Sequence, residues 1–284
     1  MSPRTSRRTS LETLHDKVVV ITGAGSGIGR ALACRSASHG ALLAISDWNP
    51  EGLAETVELV KGLGAEVRSD VVDVSDRAVV AQWATDVVGQ FGRVNLVVNN
   101  AGVSVSGDFE QMTYEDFDWI VGVNLNGVVH GTKEFLPHLI ASGNGALVNI
   151  SSLFGLISIP GQTVYNATKY AVRGFTEALR EEMLISGHPV TVTCVHPGGI
   201  RTGIVRHGRT TAGEDHAALT ALFDKKLARM SPEKAATIIL NGALSGKARV
   251  LVGADAHALH HFAKITGSRY QDVLARIAPK VMGH

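Results

Sequence analysis

Residues 17–29 read K-V-V-V-I-T-G-A-G-S-G-I-G, an apolar run followed at once by a glycine-rich turn. The run Lys17–Thr22 is dominated by β-branched residues, which is typical of a strand buried on both faces of a parallel sheet. The segment after the turn is helical in character up to about Gly40. Glycines at such a turn let the main chain approach a pyrophosphate, and the helix start offers free N–H groups and the positive end of a dipole. The stretch therefore predicts a strand–turn–helix unit that binds the phosphates of a dinucleotide.

The glycine spacing departs from the usual dinucleotide pattern G-x-G-x-x-G, because Ile28 occupies the position of the last glycine. A glycine-rich loop alone is weak evidence, and its place directly after the first strand strengthens it. The residues of this loop that we expect to bind the cofactor are Gly23, Ser26, Gly27, Ile28 and Gly29.

Asp47 follows the second predicted strand, Ala41–Ser46, which closes a β-α-β unit. An acid at this point can accept hydrogen bonds from a ribose 2′-hydroxyl and would repel a 2′-phosphate. Trp48 stands where a basic residue could have paired with that phosphate. An aspartate before Asn49 can also be a turn or capping residue, and the two roles are compatible. The pattern favours NAD over NADP, with both Asp47 and Trp48 at the cofactor.

The rest of the chain alternates between short apolar runs and helical segments, which predicts one α/β domain. We expect a Rossmann-type, doubly wound sheet of about seven parallel strands with helices on both faces. The later strands are expected at 65–72, 94–98, 146–150, 190–195 and 248–252, and long helices at 113–142 and 259–277. The predicted divisions are a disordered basic tail over 1–14, a single domain over 15–284, a substrate lid over about 203–230 and a C-terminal helical extension over 254–284.

Two strand ends add cofactor contacts to this prediction. Asp73 and Val74 follow the third strand, where an acid can meet the amino group of an adenine. Asn100, Ala101 and Gly102 follow the fourth strand, and their small or amide side chains would let a cofactor lie against the strand end. If the first and fourth strands are neighbours, these residues flank the crevice where such sheets bind ligands.

Tyr165 and Lys169 stand four residues apart in a helical segment and therefore share one helix face. A free tyrosine has a pKa near ~10, and a neighbouring lysine cation favours the phenolate and lowers that pKa toward the range of acid–base catalysis. Ser152 lies at the end of the fifth strand, where its hydroxyl could hold a substrate oxygen. The same spacing also arises by chance, with the tyrosine in the core and the lysine reaching to water.

Together these motifs resemble the short-chain dehydrogenase/reductase family over about Lys17–Val252. The motifs that carry the resemblance are T-G-A-G-S-G-I-G (22–29), N-N-A-G (99–102), Asn124, Ser152, Y-N-A-T-K (165–169) and P-G-G-I-R-T (197–202). The resemblance implies a nicotinamide dinucleotide and a catalytic tetrad of Asn124, Ser152, Tyr165 and Lys169. It also implies cofactor contacts from Tyr165, Lys169, Pro197, Gly198, Ile200 and Thr202.

The resemblance further implies that Asn124 holds a water that relays the proton, although an asparagine within a helix can equally face solvent or bond back to the main chain. The reaction expected is the interconversion of a secondary alcohol and a ketone or aldehyde, with Tyr165 as general acid/base. Mostly aliphatic walls indicate a hydrophobic small molecule. Its expected contacts are Ser152, Phe154, Ile159, Tyr165, Gly199 and Ile204. An NADPH-dependent carbonyl reductase and a non-catalytic dinucleotide-binding regulator remain as alternatives.

Composition narrows the possible partners. A formal net charge of +1 argues against a nucleic-acid binder, and no apolar run is long enough to span a membrane. The isolated Cys34 and Cys194 form no disulfide framework and fit a cytoplasmic protein. The pair His260-His261 has no supporting ligand cluster, so we expect no metal. We expect a homodimer or a homotetramer, and the C-terminal extension puts the tetramer in doubt.

Overall fold

A seven-stranded, wholly parallel sheet forms the centre of the protein in a computed structural model, which describes residues 11–282 and side chains up to residue 277. The strand order is β3-β2-β1-β4-β6-β7-β9. Its strands are β1 (Val18–Thr22), β2 (Leu42–Asp47), β3 (Val67–Val71), β4 (Leu96–Asn99), β6 (Gly145–Ile150), β7 (Val190–Pro197) and β9 (Arg249–Val252). The predicted sheet, with about seven parallel strands in one domain, is confirmed.

Helices cover both faces of the sheet. The helices in the described part of the chain are α1 (Gly27–Ala37), α2 (Pro50–Gly62), α3 (Arg77–Phe91), α4 (Tyr114–Val121), α5 (Gly127–Ala141), α6 (Thr163–Ile185), α7 (His216–Leu222), α8 (Pro232–Leu244), α9 (Ala254–Thr266) and α10 (Tyr270–Met282). One face packs under α1, α2 and α8, and the other under α3, α5 and α6. β1, β4 and β6 are therefore buried on both sides, as their continuous apolar sequences predict.

The topological switch point lies between β1 and β4, which are neighbours in the sheet. The chain leaves these strands in opposite directions, so a crevice opens at their carboxyl ends. The glycine-rich turn after β1 and the segment 100–102 after β4 border that crevice. Ser152 after β6 and the segment 197–202 after β7 continue the same edge of the sheet.

One of the predicted boundaries is wrong. The tail predicted over 1–14 ends earlier, because Leu11 and Leu14 are buried in the core under α1; residues 1–10 lie outside the described part of the chain. The helix predicted over 113–142 is present over 114–141, where a π-helical turn at Gly122–Asn126 divides it into α4 and α5.

The C-terminal part is more regular than the sequence indicated. The helix predicted over 259–277 is a pair, α9 and α10, with a short turn at Gly267–Arg269. The region predicted as a lid, about 203–230, contains α7 and a strand, β8 (Arg209–Thr210), that pairs in parallel with β5 (Val105–Ser106). This small second sheet ties the beginning of that region to the loop after β4.

Candidate active site

A cavity of about 1840 Å³ runs along the carboxyl ends of the central strands. Nearly all of the sequence-predicted site residues line it. They are Gly23, Ser26, Gly27, Ile28, Asp47, Trp48, Asp73, Val74, Asn100, Ala101, Gly102, Ser152, Phe154, Ile159, Tyr165, Lys169, Pro197, Gly198, Gly199, Ile200, Thr202 and Ile204. The two predicted residues that do not line it are Gly29 and Asn124, which lie behind its wall.

Gly29 is needed for packing within the turn rather than for contact with a ligand. A Cβ on Gly29 would lie 2.6 Å from Asn100 Nδ2 and closer still to the carbonyl oxygen of Gly23. Gly23 itself has a φ of +66°, a conformation that favours glycine. The turn is therefore built from glycines for two separate reasons, a left-handed backbone and a close approach.

Thr22 and Asn100 lock the glycine-rich turn to the loop after β4. Thr22 Oγ1 accepts hydrogen bonds from the main-chain N–H groups of Asn100 and Ala101, at 3.0 Å each. Asn100 Nδ2 donates to the carbonyl oxygens of Thr22 at 2.9 Å and Gly23 at 3.1 Å. These bonds fix the two loops that border the cofactor half of the cavity.

Asp47 braces the glycine-rich turn. Its carboxylate accepts from the N–H of Gly25 at 2.7 Å and from the N–H of Asn49 at 2.9 Å. The turn role considered from the sequence is thus present, and the carboxylate still borders the cavity. Trp48 beside it is 72% exposed. Because its side chain is uncharged, this position offers no cation to a 2′-phosphate.

Arg30 is a residue of this region that sequence reasoning missed. Its guanidinium donates to the carbonyl oxygens of Gly25 and Gly52 and pairs with Glu55 at 2.7 Å. In the sequence, only its position on the first turn of α1, directly after the glycine motif, indicates that it could contact the turn. Arg30 and Asp47 thus both bond to the main chain of Gly25 and hold the turn.

Ser152, Tyr165 and Lys169 form a buried group at the centre of the cavity. The Tyr165 hydroxyl forms a hydrogen bond with Ser152, and Lys169 Nζ lies 5.6 Å from the centroid of the tyrosine ring. Lys169 also donates to the carbonyl oxygen of Ile150 at 3.2 Å. Because Lys169 is only 3% exposed, it does not reach to water as the chance alternative required.

Burial shifts the pKa values of this group in opposite directions. Desolvation raises the pKa of the Tyr165 phenol, and the hydrogen bond from Ser152 offsets part of that rise. Desolvation lowers the pKa of Lys169 to about 8. The expectation that the lysine brings the pKa of Tyr165 below its ordinary value is thus not met, because burial raises that pKa. At pH 7 Lys169 is still mostly protonated, so its cation remains available to a phenolate.

Asn124 lies on the π-helical turn and is fully buried. Its side-chain oxygen accepts from the N–H of Val103 at 2.8 Å, and its amide donates to the Val103 carbonyl at 2.9 Å and to Thr168 Oγ1 at 3.3 Å. A Cβ on Gly102 would lie 3.3 Å from both Asn124 Oδ1 and Lys169 Nζ. Asn124 therefore supports the wall beside Lys169. Its side chain bonds to main chain and does not face solvent.

The part of the cavity around Phe154 and Ile204 is mostly apolar. The rings of Phe154 and Tyr165 meet edge to face with centroids 6.2 Å apart, and Ile204 packs in the same cluster. Arg209 stacks on Trp119 at 4.1 Å and pairs with Asp116 at 2.9 Å, so its charge is already matched. Within residues 11–282, no cluster of three or more histidine, cysteine or acidic side chains could hold a metal ion.

His196 is a second residue that sequence reasoning missed. It is fully buried on β7, and its Nδ1 lies 2.8 Å from the carbonyl oxygen of Ser152. Because a carbonyl can only accept, Nδ1 carries the proton in the neutral ring, and Nε2 has no hydrogen-bond partner in the structure. Desolvation lowers the pKa of His196 to about 4. A buried neutral histidine thus supports the main chain at Ser152.

The pKa of His196 predicts sensitivity to acid. Since its pKa is about 4 in the folded protein and about 6.5 in an unfolded chain, the unfolded state binds the proton first. The free energy of unfolding should therefore fall by about 2 kcal/mol between pH 7 and pH 5 because of this residue. Urea unfolding of the wild type and of His196→Asn at the two pH values measures it, with His188→Asn, at an exposed site, as control. Equal losses in all three proteins would contradict this assignment.

Comparisons with known proteins agree with the site. A sequence model of the short chain dehydrogenase family matches residues 17–213. The oxidoreductase SadH of Mycobacterium tuberculosis is 53% identical over 265 residues, which cover 93% of this chain and 96% of SadH. The 3-oxoacyl-acyl-carrier-protein reductase FabG of Thermotoga maritima is 37% identical over 228 residues, covering 80% of this chain and 90% of FabG.

Solved structures place the fold in the same group. A crystal structure of a short chain dehydrogenase/reductase from Burkholderia phymatum in complex with NAD matches with a TM-score of 0.85 at 30% identity. The match covers 91% of this chain and 96% of that one. The chain belongs to the short-chain dehydrogenase/reductase family, as the motifs predict. It is an oxidoreductase with a nicotinamide dinucleotide as cofactor. No helix in the described part of the chain is both long and apolar enough to cross a membrane.

Proposed function

We propose that the protein interconverts a secondary alcohol and a ketone or aldehyde on a hydrophobic small molecule, with NAD as cofactor. The observation that carries the proposal is the buried group of Ser152, Tyr165 and Lys169, which faces a cavity large enough for both a dinucleotide and a substrate. The three side chains lie at the carboxyl end of the sheet, beside the glycine-rich turn.

The residues present fit a nicotinamide dinucleotide. Gly25 and Gly27 leave the main chain of the turn free of side chains on the cavity side, and α1 begins at this point with its N–H groups. Thr202 lies across from Gly27, where a Cβ on the glycine would come within 3.1 Å of it. A bound nicotinamide ring would supply the site that accepts or donates the hydride.

The protein's own part in the reaction is to move the proton and stabilise the oxygen. In alcohol oxidation the Tyr165 phenolate takes the proton of the substrate hydroxyl, and in reduction the phenol returns it. Ser152 donates a hydrogen bond to the substrate oxygen, where negative charge develops. Lys169 stabilises the phenolate, which burial alone would disfavour. Asn124 keeps the wall beside Lys169 in place.

An apolar substrate fits the other half of the cavity. Phe154, Ile159 and Ile204 line it from the body of the protein, and Leu219 and Phe223 line it from the lid. We place Gly199 at the join between the two halves. Arg209 at this end is already paired with Asp116, and Lys226 and Arg229 also line the cavity from the lid. We take the apolar walls to favour a neutral alkyl or ring compound.

Cofactor choice tests the proposal at Asp47. The wild type should bind NADH at least about tenfold more tightly than NADPH, because the carboxylate accepts from a ribose hydroxyl and repels a 2′-phosphate. Asp47→Asn keeps an acceptor for the N–H of Gly25 and removes the charge, so it should lose most of this preference. Nicotinamide fluorescence at one fixed salt concentration measures both affinities, with Asp118→Asn, at an exposed site, as control.

The outcomes are distinct. Preference of the wild type for NADPH would overturn the choice of NAD and favour a carbonyl reductase. Binding of neither nucleotide would overturn the enzymatic proposal as a whole.

We also propose that the enzyme acts in the cytoplasm as a homodimer or homotetramer. The two free cysteines, Cys34 and Cys194, support the first point. Two apolar side chains exposed at the surface, Phe117 on α4 and Ile185 at the end of α6, support the second.

A further inference from the structure

The C-terminal helices α9 and α10 contact the catalytic segment directly. Tyr270, the first residue of α10, is buried, and its hydroxyl accepts a hydrogen bond from the N–H of Ser158 at 3.1 Å. The phenol of Tyr170, which follows Lys169 on α6, is close enough for the two phenols to shift each other's pKa. One phenol on α10 thus bonds to the loop after Ser152 and lies near the helix that carries Tyr165 and Lys169.

The same helices also hold the segment after β7. Asp255, in the first turn of α9, accepts a hydrogen bond from the N–H of Gly199 at 2.6 Å. A Cβ on Gly198 would lie 2.5 Å from Asp255 Cγ, so a side chain at Gly198 would displace the carboxylate. The C-terminal part therefore fixes both the serine loop and the glycine segment that borders the cofactor half.

An apolar cluster fills the space between these two contacts. Leu153 and Ile157 of the serine loop pack with Tyr270 and, from α9 and α10, with Leu259 and Leu274. Leu259 and Leu274 also line the cavity, together with Ile277. Their side chains thus form part of the wall of the cavity, and covering the substrate cleft is one of the two roles that the sequence suggests for this segment, the other being a dimer contact. These helices lie beyond residue 213, where the match to the family model ends.

We propose that α9 and α10 form the wall that determines which substrates fit, with Tyr270 as a positioning residue for the loop after Ser152. This inference rests on the proposed function, because the substrate is taken to be a hydrophobic alcohol. Leu274 and Ile277 set the length of the apolar chain that the site accepts. The Tyr270 hydroxyl keeps the loop, and with it Phe154, in the arrangement that receives that chain.

The first test removes only the Tyr270 hydroxyl. In Tyr270→Phe we expect faster amide hydrogen exchange over residues 153–159, unchanged NADH affinity, and a rise in KM for the alcohol of about tenfold with a smaller change in kcat. Tyr114→Phe, at an exposed site on α4, is the matched control. Exchange and KM equal to those of the control would overturn the positioning role.

The second test changes the size of the wall. Straight-chain 2-alkanols from butanol to dodecanol are compared as substrates of the wild type, Leu274→Ala and Leu274→Trp. The tryptophan should shorten the longest alcohol that is oxidised, and the alanine should lengthen it. Leu184→Ala, at a half-exposed site on α6, is the control. If all four proteins oxidised the same range of alcohol lengths, the proposal that Leu274 forms part of the substrate wall would be wrong.

Failure of the proposed function gives a different result. If the wild type binds NADH and oxidises no alcohol in the series, the alcohol proposal is wrong. The variants then have no wild-type length profile with which they can be compared. The exchange comparison between Tyr270→Phe and Tyr114→Phe needs no turnover, so it still decides whether Tyr270 positions the serine loop.

Discussion

Replacing Tyr165 with phenylalanine should abolish turnover while leaving the affinity for NADH nearly unchanged. The variant keeps the ring that packs against Phe154 and loses only the hydroxyl that bonds with Ser152. Without it, no other titratable side chain among those we assign to the reaction is placed to exchange a proton with the substrate oxygen. General acid–base catalysis is worth about 10²–10⁴-fold, so kcat should fall by at least about 10²-fold.

Steady-state oxidation of a 2-alkanol and nicotinamide fluorescence measure the two quantities separately. Tyr114→Phe makes the same chemical change on the surface and should behave as the wild type. If Tyr165→Phe turned over at the wild-type rate, Tyr165 would not be the acid/base and the tetrad assignment would be wrong. Loss of NADH binding in parallel would show instead that the substitution disturbs the cofactor half.

The sequence predicts the sheet well because its signals are local. β1 and β6 are continuous apolar runs, and such runs identify strands buried on both faces without knowledge of their neighbours. The glycine-rich turn and the pair Tyr165 and Lys169 are likewise defined by spacing within one element. The cavity confirms that these segments meet at one edge of the sheet.

Interactions between distant segments could not be predicted in this way. His196 contacts Ser152 across 44 positions of sequence, and Tyr270 contacts Ser158 across 112. A lone histidine in a strand or a lone tyrosine in a helix carries no local pattern that reveals its partner. The π-helical turn at Asn124 was not predicted for a related reason. Its residues have ordinary helical character, and tertiary packing decides whether a helix takes up the one additional residue of a π-helical turn.

The pKa of Tyr165 is raised, whereas the spacing of Tyr165 and Lys169 predicted that it would be lowered. Spacing revealed the lysine, but the depth of burial became visible only in the folded protein. Both side chains are at least nine-tenths buried, and desolvation then disfavours the charged form of each. The phenolate therefore needs stabilisation beyond that of Lys169, and the positive nicotinamide ring of bound NAD would be one source of it.

Replacing Gly29 with alanine should remove cofactor binding and destabilise the fold. The added methyl group would lie 2.6 Å from Asn100 Nδ2 and still closer to the Gly23 carbonyl, so main chain would have to move. That movement would break the bonds from Asn100 that hold the turn to the loop after β4. Overpacking of this kind costs about 1–3 kcal/mol or more, and we expect NADH affinity to fall at least about 100-fold.

Gly89→Ala separates this effect from the general effect of adding a methyl group. Gly89 lies within α3, where no atom lies within 4 Å of an added Cβ. Alanine there should raise the free energy of unfolding by about 0.4–1 kcal/mol and leave NADH binding unchanged, because it restricts the unfolded chain. In urea unfolding, Gly29→Ala should therefore be less stable than the wild type and Gly89→Ala more stable. In nicotinamide fluorescence, only Gly29→Ala should lose affinity for NADH. If Gly29→Ala bound NADH as the wild type does, the close approach of α1 to Gly23 would not be what shapes the cofactor site.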